Sequence, residues 1–72
     1  MIKMTDKQAA DVAYLKMLYK DVCLLDNGEF LVSTVREIFD IIDDDKDLGE
    51  IYLLDSNFGY KAIYDYEDTN TI

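Results

Sequence analysis

The chain has 72 residues, half of them apolar, and a formal net charge of −9 from 16 acids against 7 bases with no histidine. That length allows one domain, the apolar share excludes a disordered chain, and the charge disfavours direct contact with nucleic acid or an anionic membrane. Cys23 is the single cysteine, which excludes an internal disulfide and, without histidine, the usual zinc sites.

The charge is lopsided. Residues 1–36 balance five acids with five bases, whereas residues 37–72 hold eleven acids against Lys46 and Lys61. The longest apolar runs, such as Val22-Cys23-Leu24-Leu25, are four residues, far short of a membrane span. The lone thiol and the absence of a secretory segment point to a reducing cytoplasm, that of the host cell if the chain is viral. Cys23 is expected to act as a small buried hydrophobe.

Taken in order, Thr5-Asp6-Lys7-Gln8 has the pattern of a capping box, with a helix expected to about residue 21. Val12, Leu15, Leu18, Tyr19 and Val22 form its apolar stripe, and Ala10, Tyr14 and Met17 form a second, weaker stripe suited to a contact within the fold or between subunits. Residues 22–33 are expected to form a β-hairpin around Asn27-Gly28, with the positive φ angles of a type I′ turn. Thr34 and Glu37 suggest a second capping box and a helix to about residue 43, with Val35, Ile38, Phe39 and Ile42 inward, Ile41 flanking, and Arg36, Glu37, Asp40, Asp43 and Asp44 outward.

A loop should follow through Asp45, Lys46, Asp47 and Gly49. A second hairpin then runs over residues 51–66, turning at Ser56-Asn57-Phe58-Gly59. Its first strand repeats the Leu-Leu-Asp of the first hairpin 29 residues later, a faint internal echo. Residues 67–72 lack apolar periodicity and read as a frayed tail, leaving residues 5–66 as the ordered core of one domain spanning 1–72. The fold class expected is α+β: helix, hairpin, helix, hairpin, with a four-stranded antiparallel sheet and both helices on one face.

Nothing in the chain suggests catalysis. The histidine base of a serine triad is missing, no Gly-rich phosphate loop is present, and 72 residues can hardly enclose a cleft around paired carboxylates. Asp43, Asp45 and Asp47 fit positions 1, 3 and 5 of a calcium loop. Position 6 is then Leu48 instead of glycine and position 12 is Leu54 instead of glutamate, so no metal or other cofactor is expected.

Two constellations remain. Glu37, Asp40, Asp43, Asp44, Asp45, Asp47 and Glu50, continued by Asp55, make a row of carboxylates along a helix face and into the following loop and strand. Asp43, Asp44 and Asp45 fall at the helix C-terminus, where the dipole disfavours them. Such a departure from local logic marks either a solvated loop or a functional surface. Carboxylates a few ångströms apart resemble a phosphate backbone, and basic clamps built for phosphate also accept carboxylate. On the last strand Tyr60, Ala62, Tyr64 and Tyr66 are expected on one face, with Lys61, Ile63, Asp65 and Glu67 on the other. The tyrosines either pack under the helices or serve a protein contact.

In size, in its acidic half from Glu37 to Asp68, in its helix-hairpin pattern and in its wealth of Asp, Ile, Lys and Tyr, the chain resembles the class of small acidic inhibitors made by bacterial viruses. That class includes uracil-glycosylase inhibitor, anti-restriction proteins and several anti-CRISPR proteins. The resemblance implies a protein that occupies the groove of a nucleic-acid enzyme. Two expectations stand side by side. One is a DNA-mimicking inhibitor that holds a basic, nucleic-acid-binding enzyme through the carboxylate row. The other is a non-catalytic accessory module (an adaptor, transcription modulator or virion-associated protein) that binds through Tyr60, Tyr64, Tyr66 or a helix face and forms a homo-oligomer if the Ala10-Tyr14-Met17 stripe is used.

Overall fold

The computed structural model describes residues 3–44 and 48–64. The chain runs through helix α1 (Asp6–Leu15), strands β1 (Asp21–Leu24) and β2 (Phe30–Ser33), helix α2 (Ile38–Asp44), a 3-10 turn (Leu48–Glu50), and strands β3 (Ile51–Leu54) and β4 (Tyr60–Ile63). The four strands form one antiparallel sheet in the order β1-β2-β3-β4. The α+β class and the four-stranded sheet thus match expectation. No described helix is long and apolar enough to cross a membrane.

Helix α1 opens as its sequence suggests. Thr5 Oγ1 accepts the Gln8 amide at 3.1 Å and Gln8 Oε1 accepts the Thr5 amide at 3.0 Å, completing the capping box. It closes at Leu15 rather than near residue 21. Amides of Met17 and Leu18 fall back on Tyr14 and Leu15 in a tightening turn, and the Lys20 amide already bonds Ser33 of β2 at 2.6 Å. Sheet pairing of Asp21 and Val22 with β2 outweighs continuation of the helix, whose local preference is weak against tertiary contacts. The expected stripe is therefore divided. Leu15 is buried and Val22 is buried as a strand residue, but Leu18 lies exposed on the turn.

The second helix begins four residues after Thr34. Thr34 does not cap it; buried Ser33 accepts the amides of Val35 and Arg36 on its hydroxyl, holding residues 34–36 in a bend. The cap comes from the far side of the sequence. Asp21 Oδ2, on β1, accepts the Ile38 amide at 2.9 Å while its Oδ1 accepts the Val22 amide. Asp21→Ala should thus cost roughly 1–2 kcal/mol, measurable as a lowered urea midpoint, and Asp21→Asn should recover most of it.

The first hairpin turn differs from the type I′ geometry expected of Asn27-Gly28. Gly28 alone has positive φ, +87°, while Asn27 does not; Gly28 donates to Leu25 O and Leu25 donates to Glu29 O. That is a three-residue loop: a type I turn followed by a left-handed residue. The second hairpin repeats it with Asp55, Phe58 and Gly59, so equivalent turn positions, 28 and 58, lie 30 residues apart rather than 29. Phe58 occupies the left-handed position at φ +68°, a conformation that costs a non-glycine residue about 1–2 kcal/mol. Its ring recovers contacts, stacking on Tyr14 at 5.7 Å and meeting Phe30 edge-on at 5.9 Å.

The core falls into two clusters, one on each sheet face. Leu15 packs with Val22, Phe30, Val32 and Leu54, whereas Ile38 and Ile41 pack with Leu31 and Ile51. Cross-strand partners share a face, and these two sets alternate along β1, β2 and β3. The helices therefore lie on opposite faces of the sheet, correcting the expectation that both cover one. The physical reason is that β2 is buried along its whole length, with Phe30 and Val32 on one side and Leu31 and Ser33 on the other. A strand apolar on both faces needs a cover on each.

Candidate functional site

Burial in the short helix α2 sets the site. Ile38 and Ile41 are buried and Ile42 is partly so, which turns the opposite arc outward. Phe39, expected inward, stands 70% exposed, and Val35 is also exposed because residues 34–36 bend away before the helix starts. Phe39 and Asp43 are one turn apart, as are Asp40 and Asp44, so the exposed arc carries an aromatic ring among carboxylates. Glu37 flanks this arc at the helix start.

The carboxylates are not equivalent. Arg36 donates from Nη1 to Asp44 Oδ2 at 2.7 Å, and from Nε and Nη2 to Glu50 Oε2 at 3.3 and 3.2 Å. Its bonds to Asp44 first and Glu50 second raise its affinity for its proton above the ordinary guanidinium value. The fork ties the start of the connection, the end of α2 and the 3-10 turn together, and it offsets part of the charge that disfavours the helix C-terminus. Asp55 is engaged locally, accepting the amides of Asn57 and Gly59 at 2.8 Å. Glu37, Asp40 and Asp43 are exposed and take no ion pair or side-chain hydrogen bond among the described residues. Asp45 and Asp47 lie outside the described residues. Among the described residues the carboxylate row thus holds an arc of three unpartnered acids around Phe39, edged by a partly neutralised cluster at Arg36.

The tyrosines separate. A bulge between β3 and β4 pairs Tyr52 with Ile63, Leu53 with Ala62 and Leu54 with Tyr60, leaving Lys61 as the extra residue. Tyr60 and Ile63 consequently share the α1 face, while Ala62 takes the other; simple alternation had set Tyr60 with Ala62 and Tyr64. Tyr64 packs on the α2 cluster, its amide donating to the Ile51 carbonyl at 2.9 Å, and Tyr66 lies outside the described residues. Lys61 is tied to Glu29, whose carboxyl is held below its usual range first by that lysine and then by Asn27. Cys23, half-buried against the α2 cluster, has its thiol pushed up chiefly by burial.

Tyr60 meets the hydroxyl of Tyr19 at 3.1 Å, and this bond, with burial, pushes Tyr19 up to about 12. The raised value favours the neutral phenol in the folded state. Its stabilisation is complete below the unfolded value near 10 and is lost as pH rises through about 12. Alkaline titration by tyrosinate absorbance should show Tyr19 ionising late, and Tyr60→Phe should return Tyr19 toward 10.

A shallow cleft of about 340 Å³ lies between the start of α1 and the two turns, lined by Thr5, Lys7, Gln8, Asp11 and Asn57 among others. Thr5 and Gln8 already bond each other, and Lys7 pairs with Asp11 at 2.9 Å, so these groups serve the helix. No cluster of metal-ligating side chains occurs among the described residues. Comparison with protein-family models, curated proteins and solved structures finds no match. Sequence reasoning missed Phe39 as a surface residue and Asp21 as a cap. The first left no clear signal, because Ile38, Phe39, Ile41 and Ile42 surround most of a helix of seven residues and spacing alone does not fix which of them face inward.

Proposed function

We propose that the chain is a small, non-catalytic inhibitor that binds a nucleic-acid-handling enzyme by seating the α2 face on its basic surface. The observation that carries this reading is Phe39, 70% exposed between Asp40, Asp43 and Glu37. Carboxylates one helical turn apart, about 5–6 Å, suit the clamps that grip successive phosphates. An exposed aromatic ring adds what a phosphate row lacks, an apolar anchor for a pocket beside the basic groove. The protein's negative field steers such a partner toward it, and salt weakens the complex by screening that field.

The test uses immobilised protein and the heparin-binding fraction of a bacterial lysate. A nucleic-acid enzyme should be retained at low salt, released by duplex DNA, and missed by a Glu37→Gln/Asp40→Asn/Asp43→Asn variant. Asp44 is left intact because its bond to Arg36 holds the connection together. Capture that survives both DNA and the triple substitution would sink the reading.

A further inference from the structure

The acids leave two long gaps in the chain, residues 12–20 and residues 56–64, each nine residues without a carboxylate. The fold brings these two segments together on the α1 side of the sheet. Tyr14 stacks on Phe58 and Tyr19 meets Tyr60 hydroxyl to hydroxyl, fastening one gap to the other. Around these contacts Met17 is 81% exposed, Leu18 58%, Tyr60 65% and Ile63 61%. The α2 carboxylates lie on the opposite sheet face. Among the described residues the protein thus has an acidic side and, on the α1 side beyond Asp6 and Asp11, an apolar patch whose two segments carry no carboxylate and only Lys16, Lys20 and Lys61 as charges.

We infer that this apolar patch is a self-association surface, and that two copies of this chain pair through Met17, Leu18, Tyr60 and Ile63 about a two-fold axis. Charge distribution selects the occupant. Two chains each carrying −9 repel wherever carboxylates meet, and this patch lets them approach with the acidic helices turned outward. An isologous contact sets the same apolar patch against itself, so no complementary surface is required elsewhere. The contact is between side chains on the sheet face and the α1 turn. The Lys61 bulge interrupts the β4 edge and disfavours direct strand addition. With Tyr14, the exposed side chains amount to on the order of 500 Å² per copy, about 1,000 Å² in total, at the lower limit for a specific interface. The dimer is therefore weak, and for a 72-residue domain it adds apolar burial that the small core lacks.

Sedimentation equilibrium from about 10 µM to 1 mM tests this at low and moderate salt. The average mass should climb from 8.4 kDa toward twice that value at the upper concentrations. Added salt should strengthen the association, because it screens the repulsion between like charges. Leu18→Glu and Ile63→Glu should each restore the monomer with unchanged circular dichroism, and Phe39→Glu, on the other face, should leave dimerisation intact. If either variant loses its fold, Met17→Glu, at the most exposed position of the patch, makes the same test. A monomer throughout the range, association that salt weakens, or dimerisation lost in Phe39→Glu but kept in Leu18→Glu would overturn the inference.

Discussion

Replacing Leu15 with alanine is expected to unfold a large fraction of the protein at room temperature. Leu15 is the only buried residue of α1, and it packs on Val22, Phe30, Val32 and Leu54, joining the helix to three strands. Truncating such a leucine removes its transfer energy and leaves a cavity, together about 3–4 kcal/mol. A single core of this size rarely supplies more than about 3–5 kcal/mol, so the loss approaches the whole stability. Leu18→Ala, three residues on and exposed, should move stability by less than about 0.5 kcal/mol at micromolar concentration. Urea unfolding of both variants checks the contrast. Equal losses would mean that the helix does not end where it does.

Phe39→Ala should have the largest effect on binding. An exposed aromatic anchor seated in a partner's pocket commonly carries about 2 kcal/mol, roughly a 30-fold loss of affinity for the captured enzyme. Its salt dependence should remain that of the wild type, because no charge has been removed. The Glu37→Gln/Asp40→Asn/Asp43→Asn variant should instead flatten the salt dependence, since fewer charges remain to be screened. Stability should be nearly unchanged in Phe39→Ala, as the ring lies outside the core. A fall of several kcal/mol would mark Phe39 as a core residue and remove it from the site.

These two leucines and this phenylalanine show what a residue pattern can carry. The first capping box was legible because all its partners lie within four residues, and its atoms need only the local backbone. The two hairpins were legible because each turn is flanked by apolar runs, although a local Asn-Gly signal did not distinguish the two turn types that accept a left-handed glycine. The acidic arc was legible in composition, since Glu37, Asp40 and Asp43 have no apolar role to fill.

The sequence by itself therefore determined the α+β class, which strands join in each hairpin and the identity of the charged helix, but not the register of either hairpin. Tertiary structure decided where α1 stops, because pairing of Lys20 with Ser33 competes with the helix from a distance. It decided the start of α2, through a carboxylate on β1, and the exposure of Phe39, through the burial of Ile41. It also set the helices on opposite faces and split the tyrosines by one bulged lysine. Each of these depends on contacts between residues far apart in the chain, and such contacts leave no mark in the spacing of neighbours.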